Sequence, residues 1–219
     1  MCIIKRNFPP IGHSPRMLSI YQLKPAFQGM LRPLVARLAQ AGMTANSVTL
    51  AAMALSLGLG ILLCLAGPRH SQLFLLLPLW MFLRMALNAI DGMLAREFGQ
   101  KTPLGAYLNE LSDVVSDAAL YLPFAFVAPF GWASIGLLIF LSAVSEMAGA
   151  LGPMVGAPRQ YDGPVGKSDR AFLFGAFGLW LGLAGQLPEI AFWLLPAACA
   201  GIVLNTINRI HSGIAASRP

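Results

Sequence analysis

Arg84, Asp91, Glu110, Asp113, Asp117 and Glu146 all fall within or at the edge of long apolar stretches of this 219-residue sequence. A charge at membrane depth is costly, so such residues mark function by default. On a helix turning about 100° per residue, Asn88, Asp91, Gly92 and Ala95 share a narrow arc, with Arg84 one turn earlier. On the next apolar stretch Asn109, Glu110, Asp113 and Asp117 lie within an arc of about 100°. Oxygen ligands converging from two helices suit a hard divalent cation such as Mg²⁺ or Mn²⁺. A metal beside a spare carboxylate suits phosphoryl transfer: the cation neutralises phosphate oxygens while the carboxylate takes the proton of an attacking hydroxyl. The small residues in the stripe let a diphosphate approach the backbone. The plainer alternative is that these groups only hydrogen-bond between helices; for the whole set the spacing favours chemistry.

The elements that must position these residues are membrane helices. Hydrophobic residues make up 57% of the chain and charged residues 11%, too few charges to clothe a water-facing surface. Apolar stretches of about 20 residues, enough to span a bilayer, run roughly over 48–66, 73–95, 104–126, 131–151, 170–186 and 189–208. The first begins too late for a cleavable signal peptide. The expected fold is thus all-α and integral to the membrane, with six transmembrane helices. The second and third, joined by a short connection, are expected to be antiparallel neighbours whose polar stripes face each other. Arg96, Lys101, Arg159, Lys167, Arg170, Arg209 and Arg218 fall in or beside alternate connections, which places both termini in the cytoplasm.

Three regions follow: an N-terminal segment 1–47, a six-helix domain 48–210, and a short tail 211–219. Residues 1–16 read as irregular. Residues 18–43 carry Leu23, Phe27, Leu31, Leu34 and Leu38 at helical spacing among basic residues, which reads as an amphipathic helix on the membrane surface. The net charge of +6 is concentrated there and at the cytoplasmic connections, so membrane lipid rather than nucleic acid is the expected anionic partner. Cys2, Cys64 and Cys199 form no CxxC pair and suggest no disulfide.

At Asn88-x2-Asp91-Gly92-x2-Ala95-Arg96-x8-Gly105-x3-Asn109-x3-Asp113 the chain resembles the CDP-alcohol phosphotransferase (CDP-alcohol phosphatidyltransferase) family, whose pattern is D-x2-D-G-x2-A-R-x8-G-x3-D-x3-D. Every spacing fits; asparagine replaces aspartate at Asn88 and Asn109. Thr44-Ala-Asn46-Ser-Val-Thr49 is similar to the family's start of its first span, and Gly166-Lys167 to a basic loop that receives an acceptor's phosphate. The resemblance runs from about Leu18 to Ile210, and six spans is the family's number.

The resemblance implies that Asp91 is a metal ligand, with Asn88 and Asn109 at two further ligand positions. It implies that Asp113 is the catalytic base, and that Asn46, Gly92, Ala95, Arg96 and Gly105 line a cytidine-diphosphate pocket. It also implies a homodimer that releases CMP. The two asparagines remove two negative charges, which Glu110 and Asp117 are placed to restore. An arrangement shifted by one turn, with Asp113 as ligand and Asp117 as base, therefore stays open, as do one metal or two.

Arg159, Lys167 and Arg170 are candidates for binding an acceptor phosphate, or they simply mark cytoplasmic topology. Glu146 either neighbours the site or pairs with Arg84. Gly178 and Gly182 allow close helix contact, within the chain or across a dimer, with packing within the chain favoured. The expected function is phosphatidyl transfer from CDP-diacylglycerol to an alcohol at the inner (cytoplasmic) membrane. Its rivals are transfer from a CDP-linked small alcohol to diacylglycerol, a non-catalytic relative, and a transporter; the acidic cluster in one half only disfavours the last.

Overall fold

Capping residues start the helices that carry the polar stripes. In the computed structural model, which describes residues 20–161 and 163–217, Thr44 begins the helix α2 (Ala45–Ala66). Thr44 Oγ1 accepts from the Ser47 amide at 3.1 Å and Ser47 Oγ accepts from the Thr44 amide at 3.1 Å, satisfying two donors that a helix start leaves orphaned. Thr102 does the same for α4 (Pro103–Tyr121), accepting from the Gly105 amide at 2.9 Å, with Pro103 preset for the first turn. At the start of α6 (Lys167–Ala184), the Gly166 amide donates to Asp169 Oδ2 at 2.9 Å. The remaining helices are α1 (Ile20–Gln40), α3 (Leu76–Glu97), α5 (Trp132–Ala150) and α7 (Ala191–Ala216), with 3₁₀ turns at Ser71–Leu75, Leu122–Phe126 and Gly152–Val155. No strand occurs among the described residues. The irregular structure expected for 1–16 lies outside them.

Polarity in this fold is inverted relative to a water-soluble protein. Phe172, Leu65, Leu183 and Trp193 point outward, whereas Arg84, Asp91, Asp117, Glu146, Arg170, Asn205 and Arg209 are buried. Four helical segments among the described residues are long and apolar enough to cross a membrane: Ala45–Ala66, Ser71–Glu97, Trp132–Ala150 and Ala191–Ala216. Helices α4 and α6 occupy the other two stretches where spans are expected, but fall short of that measure. Glu110, Asp113 and Asp117 lower the hydropathy of the one, and Lys167, Asp169 and Arg170 that of the other.

Helix α2 packs on both α3 and α4, α5 on α7, and α6 on α3 and the turn before it. The polar stripes of α3 and α4 meet as expected, Arg84 and Asn88 reaching Asp113 and Asp117, but the two helix backbones do not pack closely. Gly60 of α2 sits directly against the Ala119 backbone, so α2 takes the position beside α4. Polar side chains then bridge α3 and α4 across the remaining space. The main core gathers Phe74, Tyr121, Phe124, Phe174 and Phe177; a smaller one beneath α1 gathers Val35, Val48, Ile90, Met93 and Leu94. Gly178 and Gly182 face Leu77 and Leu75, so their small size serves packing within the chain.

Candidate active site

The start of α2, the C-terminal half of α3, the start of α4 and the residues after α5 surround a cavity of about 550 Å³. Asn46, Gly92, Ala95, Arg96 and Gly105, the five residues expected to hold a nucleotide, all line it, together with Asp91, Asn109, Glu110 and Arg159. Gln100 fixes the rim: its Oε1 accepts from the Ala45 amide at 2.7 Å and its Nε2 donates to the Met43 carbonyl at 3.3 Å. The small residues form a wall of bare backbone. A Cβ on Gly105 would lie 2.8 Å from Asn46 Oδ1, and one on Gly92 would lie 3.0 Å from an Arg96 guanidinium nitrogen.

Asp91 is 5% exposed, and its Oδ2 accepts from Thr49 Oγ1 at 2.8 Å. Thr49 lies one turn inside the capped start of α2, so the Thr44 cap and the carboxylate are linked through one helical turn. Thr49 is absent from the candidate set derived from sequence, although its motif was recognisable there.

Asp113, one turn beyond Asn109 on α4, is not part of the cavity lining. Its Oδ1 accepts from Arg84 Nη2 at 3.2 Å and Asn88 Nδ2 at 3.4 Å, and pairs with Lys167 Nζ. Its Oδ2 accepts no hydrogen bond among the described residues. Asp113 and Lys167 are near enough to Asp91 to interact with its charge. Arg84 spans one turn of α4, reaching Asp117 Oδ1 at 2.5 Å as well as Asp113. Beyond Arg84, Asn88 and Lys167 opens a groove of about 660 Å³ between α3 and α6, lined by Pro78, Met81, Phe82, Met85, Phe172 and Leu179.

The other acids are interleaved with arginines. Arg159 Nε lies 2.6 Å from Glu110 Oε1 and its Nη2 3.1 Å from Glu146 Oε2. Arg170 Nη2 lies 2.8 Å from Glu146 Oε1 and 3.5 Å from Asp117 Oδ2. Arg209 Nη1 lies 3.3 Å from Glu146 Oε2 and donates to the Ser145 carbonyl at 2.6 Å. Burial works against the charge of Arg159, but Glu110 outweighs it and holds the guanidinium above its ordinary value. Of the three candidates for an acceptor's phosphate, Arg159 borders the large cavity, Lys167 stands on Asp113, and Arg170 is wholly buried beneath them.

Glu146 does not pair with Arg84. That guanidinium is taken by the α4 acids, and Glu146, on α5, faces α6 and α7 instead. Arg209 is absent from the candidate set; a basic residue at a helix end reads as topology until the fold turns it inward. Among the described residues no three His, Cys, Asp or Glu side chains gather as a metal would need them. Of the residues expected as metal ligands, Asp91, Asn88 and Asn109 make no ion pair among the described residues. Among the described residues no ion pair involves Arg96 or Lys101, which line the cavity of about 550 Å³.

Residues 42–204 match the model of a protein family described as CDP-alcohol phosphatidyltransferase. The chain is 47% identical over 195 residues to Escherichia coli inner membrane protein YnbA, covering 89% of this chain and 96% of that one. It is 27% identical over 198 residues to Mycobacteroides abscessus phosphatidylinositol phosphate synthase, covering 85% and 84%. Its fold is similar to the crystal structure of Mycobacterium tuberculosis phosphatidylinositol phosphate synthase (PgsA1) with CDP-DAG bound. The TM-score is 0.68 at 18% identity, over 83% of this chain and 92% of that one.

Proposed function

Since the chain belongs to the CDP-alcohol phosphatidyltransferase family, we propose that it transfers a phosphatidyl group from CDP-diacylglycerol to an alcohol and releases CMP. One observation carries this reading: the C-terminal half of α3 borders both a cavity lined by Gly92, Gly105, Arg96 and Lys101 and an apolar groove, and Asp113 contacts Arg84, Asn88 and Lys167 of that groove's lining. Nucleotide and diphosphate take the cavity, where Gly92, Ala95 and Gly105 allow close approach. The acyl chains take the groove between α3 and α6, which is open to the surrounding lipid. The name of the solved neighbour, which states that it binds CDP-DAG, supports the choice of donor.

In this reading the alcohol oxygen attacks the lipid-side phosphorus, and Asp113 Oδ2 takes the hydroxyl proton. The new O–P bond forms, the phosphoanhydride P–O bond breaks, and CMP leaves with the electron pair. Asp113 Oδ1, held by Arg84, Asn88 and Lys167, orients the carboxylate for that transfer. Asp117 positions Arg84 from below rather than meeting substrate.

Asp91 and Asn109 border one cavity and would hold a single hard cation there, with Asn88 one turn away on the groove side of α3, while Asp113 and Glu110 pair with cations of the protein. A bound Mg²⁺ or Mn²⁺ supplies neutralisation of diphosphate oxygens there. The enzyme works as a six-span homodimer in the inner membrane with both termini cytoplasmic. That orientation places Arg96, Lys101, Arg159, Lys167 and Arg209 on the cytoplasmic side.

The test is reconstitution in vesicles with labelled CDP-diacylglycerol, Mg²⁺ or Mn²⁺ and a panel of alcohols, scored for CMP release. Release that depends on donor, alcohol and Asp91 supports the reading. Turnover of a CDP-linked small alcohol with diacylglycerol instead would reverse the roles of donor and acceptor.

A further inference from the structure

We infer that the alcohol acceptor carries no phosphate group, because Glu146 already fills, as a built-in carboxylate, the anion position that three guanidiniums create. This rests on the phosphatidyl-transfer reading above and narrows its acceptor.

Arg159, Arg170 and Arg209 come from the 156–166 connection, α6 and α7, and all three converge on one side chain of α5. Such a triangle of forked donors is what recognition of a phosphate monoester calls for. Here both Glu146 oxygens are taken: Oε1 by Arg170 at 2.8 Å, and Oε2 by Arg159 at 3.1 Å and Arg209 at 3.3 Å. The arrangement is held in place rather than left loose. Ser145 Oγ donates to Asn205 Oδ1 at 3.0 Å, and Asn205 Nδ2 donates to the Pro164 carbonyl at 2.9 Å, fixing the connection that carries Arg159 against α7.

Charge and space both oppose a second anion within the Glu146 cluster. Around the site, Arg84, Arg159, Lys167, Arg170 and Arg209 face Glu110, Asp113, Asp117 and Glu146, and each of the five contacts a carboxylate. A phosphate monoester brings about −1.5 to −2 charges, more than the single surplus cation balances. The void beside Glu146, Asp117, Tyr121 and Arg170 is about 10 Å³, enough for about one water and far short of a phosphate. Arg170 Nε and the Tyr121 hydroxyl, on residues that line this void, have no hydrogen-bond partner among the described residues. An uncharged hydroxyl meets none of these obstacles on its way to Asp113 Oδ2.

The experiment compares matched acceptors on the full chain in vesicles with CDP-diacylglycerol: glycerol against glycerol 3-phosphate, and inositol against inositol phosphate. CMP release is expected to be about tenfold or more faster with the unphosphorylated member of a pair; the opposite order overturns the inference. Silence with every acceptor counts against the transfer reading, and a binding arm then decides this one. With excess CDP filling the nucleotide cavity, inorganic phosphate should raise the melting temperature of Glu146→Ala, which removes both the carboxylate and its volume, and leave the wild type unchanged. A shift in the wild type, or none in a folded Glu146→Ala, overturns the inference. If Glu146→Ala does not fold, the acceptor pairs and the wild-type phosphate response stand without it.

Discussion

Replacing Asp113 by Asn separates the two jobs that its carboxylate performs in the proposed mechanism. An amide keeps an oxygen where Oδ1 accepts from Arg84 at 3.2 Å and Asn88 at 3.4 Å, but puts NH₂ where Oδ2 must receive a proton. Loss of a general base costs about 10²–10⁴-fold in rate, or about 3–5 kcal/mol of barrier. Stability should change by no more than about 1 kcal/mol: Arg84 keeps Asp117 at 2.5 Å, and the Lys167 side chain, 28% exposed, keeps water.

Asp117→Asn behaves differently. Stripping one partner from a buried ion pair costs about 3–5 kcal/mol. Here Arg84 retains Asp113 and Arg170 retains Glu146 at 2.8 Å, which reduces the loss to about 1–3 kcal/mol. For a chain of this size each kcal/mol moves the melting temperature by about 2–4 °C. CMP release in vesicles and thermal unfolding in detergent, measured on both variants, give the two readouts. Asp113→Asn should be inactive and stable, and Asp117→Asn unstable with a smaller loss of rate. If instead Asp113→Asn stayed within about tenfold of wild type while Asp117→Asn lost about 10²-fold or more at an unchanged melting temperature, the base would be Asp117 and the reasoning would be wrong.

Asn109→Asp adds a carboxylate beside Asp91 in the same cavity and should tighten Mn²⁺ binding, read by electron paramagnetic resonance without turnover; unchanged affinity would remove Asn109 from the donor set. Gly182→Val drives a side chain to where a Cβ already lies 2.6 Å from Leu75 Cγ, so the melting temperature should fall by the equivalent of about 1–3 kcal/mol. An unaltered melting temperature with loss of the dimer would move Gly182 to an interface between copies. Tyr121 stacks on Phe174 with ring centroids 4.0 Å apart, and its buried hydroxyl lacks a protein partner. Tyr121→Phe should therefore keep or slightly raise the melting temperature, and a marked drop would show that the hydroxyl holds a buried water.

Much of the site was legible because helical periodicity is local. Asn88, Asp91, Gly92 and Ala95 share a face whatever surrounds them, and so do Asn109, Asp113 and Asp117. Capping is local too, so Thr44 and Thr102 mark helix starts within three residues of themselves. The apolar stretches announce membrane helices by length alone; that Asn46, Gly92, Ala95, Arg96 and Gly105 border one cavity was expected from the family resemblance.

What the tertiary structure alone decided are the pairings between distant segments, because ion pairing depends on which helix stands opposite which. Sequence distance does not reveal that Glu146 meets Arg209 rather than Arg84, or that Arg159 reaches back to Glu110. Nor does a short connection require α3 and α4 to pack tightly; the glycine contact of α2 with Ala119 sets that spacing. A charge next to a membrane helix reads the same in sequence whether it faces the cytoplasm or a buried carboxylate. Only its neighbours in space make Arg170 and Arg209 interior residues, and with them Glu146 the anion of its own site.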